Sequence, residues 1–445
     1  MSDHEKKHNL SRQSGAVNRL SINDAPVNRI TIIATLAVFG GIFIDGYILG
    51  VIGYAVGPAT TELQLSNLGT GLIAATALVG IFIGGSVFGR VSDRFGRKRV
   101  FFWSLVGFGI VSLLQLFVVG TWDLVLYRLV LGILIGVEYA VGTAFLAEFT
   151  PKAKRSVLLG SISLFWFIGF VVALIAGAYW PPDAWRWLLA SSVIPAIITL
   201  IIRLKLPESP RWLHSQGRDK EALAIIEKHW GPEYGLPEAT KVDPDASFRA
   251  FFRENDWRRI LYSGLFWACQ VAPLFTIFTF LPLLLGQMNF SDGLSIELIV
   301  NGLQLVGAVL GVWLLWAMSR RGLVIWTFAL SALFLLTLGL WTDMSAPLEL
   351  VIFGLFTVIF VASTNIQYVY PPEMFETRFR STGVGLAAAM SRIGAAGAAF
   401  LFPVSLANLG VGTTLVLIAV FPIVGLVASL LWAPETKDQD IDALI

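Results

Sequence analysis

Gly85-Ser-Val-Phe-Gly89-Arg-Val-Ser-Asp93-Arg94-Phe-Gly96-Arg97-Lys98-Arg99 stands between two long apolar runs. A loop this short and basic, strung between membrane-length segments, turns the chain around on the cytoplasmic face. The run before it carries Gly71, Gly80, Gly84 and Gly85, small residues that let helices approach closely within lipid. Asp93 is placed to cap a neighbouring helix N-terminus and to pair with Arg97.

Outward from this loop the pattern repeats. Of 445 residues 56% are hydrophobic and only 14% charged, a composition that a soluble domain of this length does not need. Membrane-length apolar runs recur about twelve times, at approximately 30–56, 68–89, 100–119, 124–147, 157–179, 186–205, 260–286, 295–318, 324–341, 348–370, 382–408 and 412–433. The net charge of +2 conceals an asymmetry. Lys and Arg crowd the N-terminal tail and the even-numbered loops (Arg94 to Arg99, Lys152 to Arg155, Arg203 to Arg259, Arg320 and Arg321, Arg378 and Arg380), whereas the odd-numbered loops hold almost none, Arg186 being the main exception. Both termini are therefore expected in the cytoplasm. The first 29 residues are polar and the first apolar run is full length, so no cleavable signal is expected. Cys269 is alone, inside an apolar run, and disulfides play no part.

The expected plan is an all-α integral membrane protein of twelve helices in two six-helix bundles. A cytoplasmic tail (1–29) precedes an N-terminal bundle (30–206), a cytoplasmic linker with short helices (207–258), a C-terminal bundle (259–433) and a cytoplasmic tail (434–445). Lys220 to Lys228 reads as a short amphipathic helix within the linker. A weak repeat points to duplication. Asp93-Arg94-Phe-Gly96-Arg97 has an eroded partner in Ser319-Arg320-Arg321-Gly322, and Glu148 to Arg155 is echoed by Glu373 to Arg380.

The carboxylate, arginines and glycine after the second run resemble the signature of the major facilitator superfamily. Pro207-Glu208-Ser209-Pro210-Arg211-Trp212 is similar to the sugar-porter hexapeptide. Arg128, Gly132 and Gly136 match that family's helix-four pattern, and Pro434-Glu435-Thr436-Lys437 its closing tetrapeptide. The resemblance runs from the first helix to the C-terminus. It implies a substrate site between the halves near the midplane. It also implies ion-pair networks that hold the halves together when the inner gate is shut, here Asp93, Arg97, Glu148, Arg155, Glu373 and Arg380. Two departures weaken a sugar cargo. The helix-five glutamine of sugar porters is replaced by Ser163, and helix seven carries a single amide, Gln270. A polyol needs many fixed donors and acceptors, because each unmatched hydroxyl loses its water without replacement.

Three ionisable residues sit at comparable depth inside apolar runs: Asp45, Glu138 and Arg392. Each facing lipid would cost roughly 2.5–3.5 kcal/mol, so each is expected to face a cavity or a partner. Asp45-Gly-Tyr, Glu138-Tyr and Ser391-Arg-Ile-Gly resemble the organic-ion and phosphate branches around the sugar porters. In carriers of vitamins and aromatic acids of that type, the helix-eleven arginine is the expected partner of a substrate carboxylate. A guanidinium suits that role, binding a carboxylate through two parallel hydrogen bonds without ever deprotonating. A carboxylate in a dry cavity holds a proton more tightly than in water, so Asp45 or Glu138 is the expected proton carrier, Asp45 first. Glu138 is alternatively a direct substrate contact, and Arg128 its ion-pair mate or a further anion contact.

Tyr47, Tyr139, Phe165, Trp166, Trp267, Phe275 and Tyr368 are candidate stacking surfaces for a flat substrate. Gln270, Asn301, Gln304, Asn365 and Gln367 are stronger candidates, because an amide in lipid needs a partner. Asn365 and Gln367, two apart, point in different directions. No phosphate-cradling loop occurs, and His4, His8, His214 and His229 all lie in the tail or linker, so no ATP, metal or other cofactor is expected beyond a coupling proton. An enzyme and a nucleic-acid partner are not expected. The expectation is a monomeric, plasma-membrane proton symporter of a small organic acid, of bacterial inner-membrane type. A sugar or polyol symporter and an organic-cation antiporter are the alternatives.

Overall fold

The computed structural model describes residues 19–236, 251–253, 256–287, 293–341, 343–375 and 380–437. Among them ten helices are long and apolar enough to cross a membrane. Spans one to four are Arg29–Leu63, Asn67–Phe95, Arg97–Phe117 and Thr121–Phe149, and the fifth is the shorter Ile162–Ala178. Spans six to ten are Pro182–Arg203, Trp257–Phe278, Ser295–Ala317, Arg320–Leu340 and Ala346–Gln367. The last helix, Arg380–Trp432, breaks at Gly410, whose φ of 77° lies in the left-handed region. Glycine adopts that conformation without a Cβ penalty, and the break separates spans eleven and twelve. The fold is an all-α membrane protein, and the number of apolar segments is the number the sequence implies.

Local chemistry sets the ends. Asn28 starts the first span by accepting the Thr31 N–H on its side chain at 3.0 Å, and Gln64 ends it in a left-handed turn. Spans two and four touch backbone to backbone. A Cβ on Gly84 would strike the Ile133 carbonyl, and one on Gly136 the Ile81 carbonyl and the Gly85 amide. The glycines flanking the basic loop therefore serve close packing. Spans four and seven each contain a π-helical turn, Glu138–Gly142 and Leu274–Phe278, and both flank the centre of the molecule. Such turns re-aim side chains.

The face bearing the basic loops is more structured than the sequence suggests. Strand β1 (Leu20–Ser21) pairs in parallel with β2 (Tyr234–Gly235), tying the N-terminal segment to the linker helices Pro210–Ser215 and Asp219–His229. Asp93 does not cap the third span. Its side chain is largely exposed, and Glu208 takes the capping role, accepting the Lys98 N–H at 3.0 Å. In the other half Glu435 does the same for the ninth span, accepting the Arg320 N–H at 2.9 Å and the Arg321 N–H at 3.2 Å. Pro207-Glu208 and Pro434-Glu435 are thus equivalent parts of the two halves.

Candidate substrate and proton site

Between the halves lies a contracted cavity of about 30 Å³, room for a water or two. Spans four, five, seven, ten and eleven contribute Tyr139, Trp166, Phe275, Gln367 and Arg392 to its wall. The Arg392 guanidinium carbon sits 5.5 Å from the Tyr139 ring centroid and 5.7 Å from that of Phe275, within cation–π range. Arg392 has neither a hydrogen bond nor an ion pair among the described residues. A permanent salt bridge to Asp45 or Glu138 is therefore not what holds it.

Trp166 stacks on Phe170 at 5.1 Å and meets Phe275 edge-on at 5.9 Å, yet its Nε1 has no hydrogen-bond partner. Trp267 Nε1, which can only donate, bonds Gln367 Oε1 at 3.0 Å. That contact orients the Gln367 amide and leaves Nε2 unpartnered. Arg392, Trp166 Nε1 and Gln367 Nε2 are all donors.

Asp45 is fully buried and neither carboxylate oxygen has a hydrogen-bond partner. The charges of Glu138, Arg203 and Arg392 all act on it. Its neighbour Gly46 packs against the backbone of Trp166, where a Cβ would clash, so Asp45 is fixed beside the cavity wall by the crossing of spans one and five.

Several expected contacts are placed elsewhere. Glu138 does not face substrate: it is ion-paired with Arg203 of the sixth span, both side chains being 1% exposed, and Ser104 also donates to it. Arg203 donates further to the Ala37 and Phe101 carbonyls and lies over the Phe101 ring. Gly41 makes room, since a Cβ there would run into both Glu138 and Arg203. Arg128 is not the mate of Glu138. It is buried and donates to the Ile48 carbonyl at 2.8 Å, a carbonyl of the first span, not a cavity group. Tyr47 turns into the N-terminal half, its hydroxyl 2.6 Å from Ser191 Oγ. Phe165 stacks on Phe39 at 4.2 Å. Gln270 donates to the Ser363 carbonyl at 3.0 Å and Gln304 to Asn301 Oδ1 at 2.8 Å, and neither lines the cavity. Asn365 bridges the halves, accepting from Ser163 Oγ at 2.9 Å and donating to the Ala308 carbonyl at 3.1 Å. The side chains of Tyr368 and Arg380 lie outside the described residues.

On the basic face Arg97 reaches Glu148 at 2.8 Å and Asp93 at 3.6 Å, and Arg320 reaches Glu373 at 3.2 Å. These pairs lie within one half each, and among the described residues no ion pair on this face joins the halves. Arg155 has no acidic partner there. It donates to Asn23 Oδ1 at 2.9 Å and to the Thr150 carbonyl at 3.2 Å. Arg211 donates to the same Asn23 oxygen. Burial, then Arg155, pushes the Arg211 guanidinium below its usual range. The halves meet closely on the opposite face instead. A Cβ on Gly53 would lie 2.6 Å from the Thr279 carbonyl, and one on Gly71 would strike the Phe400 carbonyl.

An all-helical membrane bundle, duplicated in its loops and closed around a small polar chamber, defines a transporter of the major facilitator type rather than an enzyme. The chain belongs to the sugar (and other) transporter family, whose profile matches residues 33–444. It is 39% identical over 419 residues to the inner membrane metabolite transport protein YgcS of Escherichia coli, covering 94% of each chain. At 26% identity it is also similar to an arabinose-proton symporter of Bacillus subtilis (93% of this chain, 94% of the other) and to the niacin transporter NiaP of Acinetobacter baylyi (84% and 87%). The xylose transporter XylE from E. coli, in a partially occluded inward-open conformation, superposes with a TM-score of 0.78 at 21% identity, covering 92% of this chain and 99% of that one.

Proposed function

We propose that this transporter carries a small organic anion, a monocarboxylate bearing a ring, in symport with a proton, and that the basic face is cytoplasmic. The observation that carries the reading is the one-sided chemistry of the chamber. The Trp166 indole N–H and the Gln367 NH₂ have no hydrogen-bond partner, and the Arg392 guanidinium faces only the Tyr139 and Phe275 rings; together these donors suit a ligand rich in acceptors. The aromatic rings around them suit a flat body. The niacin transporter among the relatives supports a carboxylate cargo. The arabinose-proton symporter supports the alternative of sugar symport, to which the chamber offers few unpartnered acceptors for hydroxyl protons.

Asp45 is the proposed proton carrier. Ionised, its charge competes with an incoming anion for Arg392 without forming an ion pair in this state. A proton taken from outside neutralises Asp45 and frees Arg392 for the incoming carboxylate, and one proton and one anion then cross together as the halves rock. Glu138, committed to Arg203, is left to position this pair.

The test is a thermal-shift screen of the purified protein against nicotinate and benzoate, xylose and arabinose, and simple amines, at about pH 5.5 and about pH 7.5. Ring monocarboxylates are expected to raise the melting temperature through binding to the native state, and Arg392→Ala to abolish the effect. Stabilisation by sugars alone would overturn the reading in favour of the alternative.

A further inference from the structure

Glu297 is a buried carboxylate that the mechanism above does not use. It lies on the eighth span, in the helix Gly293–Ala317, and is 5% exposed. Asn301 and Gln304 follow at spacings of four and three, on the same helical face, and are buried as completely. Each of the three keeps one polar atom without a hydrogen-bond partner: Glu297 Oε1, Asn301 Nδ2 and Gln304 Oε1. One turn further along that face is Ala308, whose carbonyl accepts from Asn365. Asn365 in turn accepts from Ser163, on the cavity wall. A polar stripe therefore descends the eighth span from the end away from the basic loops to the chamber. Amides and a carboxylate that each keep a buried atom unsatisfied are costly in a membrane bundle, and a stripe of them is explained by use in another state of the cycle.

Across the halves, the Tyr54 hydroxyl of the first span faces the Glu297 carboxyl as its hydrogen-bonding neighbour. Neither Tyr54 Oη nor Glu297 Oε1 completes a hydrogen bond of normal geometry. Tyr54 adjoins Gly53, where the first span presses on the Thr279 carbonyl, so the pair sits in the closed contact between the halves. No other charged side chain among the described residues acts on Glu297. Glu349, at the outer end of the neighbouring tenth span, does not.

We propose that Glu297 is a second proton-binding site, placed at the outer gate, and that its protonation admits the anion. The proposal rests on the anionic cargo and outer-side uptake argued above. While Glu297 is ionised, its charge repels a carboxylate approaching along the stripe. Once protonated, it becomes a donor that an incoming carboxylate can accept from, and the amides of Asn301 and Gln304 relay the anion inward. The proton on Glu297 returns to the outer medium when the gate closes, so it sets access without adding to the number of protons carried.

The experiment needs no identified cargo. Full-length protein in liposomes is titrated from about pH 5 to about pH 9, and the infrared C=O band of protonated carboxyl groups is followed in wild type, Glu297→Gln, Asp45→Asn and Tyr54→Phe. The expected result is loss of one titrating band in Glu297→Gln, distinct from the one lost in Asp45→Asn. Tyr54→Phe should retain the band with a shifted midpoint. A band pattern in Glu297→Gln identical to wild type overturns the proposal. If instead the Glu297 band is present while Asp45→Asn leaves the wild-type band pattern intact, the coupling scheme fails and the second proton site stands.

Discussion

Arg203 of the sixth span and Glu138 of the fourth form an ion pair inside the N-terminal half, with both side chains 1% exposed and a second contact of 2.9 Å from Nη1 to Oε1. The pair is enclosed by the Phe101 ring, the Ala37 and Phe101 carbonyls and Ser104. Removing one partner leaves the other buried and uncompensated, a loss of about 3–5 kcal/mol. Arg203→Ala and Glu138→Ala should each lower the melting temperature sharply, and the double variant should be less damaged than the sum of the two. Additive losses in a double-mutant cycle would show that the two charges are not coupled.

Asp45 is as deeply buried but has no such partner: neither oxygen accepts a hydrogen bond, and the charges of Glu138, Arg203 and Arg392 act on it without an ion pair. Asp45→Asn is therefore expected to fold as wild type, abolish proton-driven accumulation and spare exchange of internal for external cargo. Counterflow and uptake in proteoliposomes check this. Unaltered accumulation would reject Asp45 as the carrier.

The span plan was legible because burial in lipid demands long apolar runs, and the glycines at 84 and 136 announce close helix packing. Asp45, Glu138 and Arg392 stood out for the same reason: charge at mid-depth is expensive. Which charges pair was not legible, since pairing depends on helix rotation. Arg203 reads as the first basic residue of the linker, yet it shares a buried face with Ala196 and Thr199 at helical spacing, and that periodicity was the available signal. Glu297 was missed because it lies two residues inside the 295–318 run, where a carboxylate at a span end reads as reaching the interface rather than as buried. Asn23 was missed because an asparagine in a polar tail carries no local signal at all. The amide candidates divided by orientation. Gln367 reached the chamber, while Gln270 was spent on a helix-to-helix bond and Gln304 on Asn301 of its own helix.

Arg392 offers the cleanest chemical test of cargo charge. Lysine keeps the cation but not the planar fork that binds a carboxylate through two bonds. Arg392→Lys should weaken binding of a ring monocarboxylate by about 1.5–3 kcal/mol, roughly ten- to hundred-fold in Kd, and Arg392→Ala should eliminate it. Calorimetric titration reads both. Equal affinities in wild type and lysine variant would exclude a bidentate contact.

The Ser163–Asn365 bond joins the halves beside the chamber, and rocking the halves apart has to break it. Ser163→Ala removes one neutral bond, worth about 1 kcal/mol, or roughly a five-fold shift in the conformational equilibrium. Distances between spin labels on the two halves should move toward the state in which spans five and ten are separated. An unchanged distance distribution would mean that the bond survives the cycle.

Asn23 holds Arg155 and Arg211 through a single carboxamide oxygen, and these two half-buried guanidinium groups repel one another. A carboxylate in that position would answer both charges. Asn23→Asp should therefore stabilise the protein by about 1 kcal/mol relative to wild type, and Asn23→Ala should destabilise it by a similar amount. The sign with pH follows from the arginines. They would hold the new carboxyl below its unfolded value of about 3.9, so its contribution is fully present above that value and is lost as pH falls through the lower, folded value. Melting curves of the three proteins should accordingly differ most at neutral pH. The advantage of Asn23→Asp should shrink toward about pH 3 and also in high salt, which screens a partly buried pair. An advantage that persisted undiminished in acid would mean that the aspartate acts through something other than its charge.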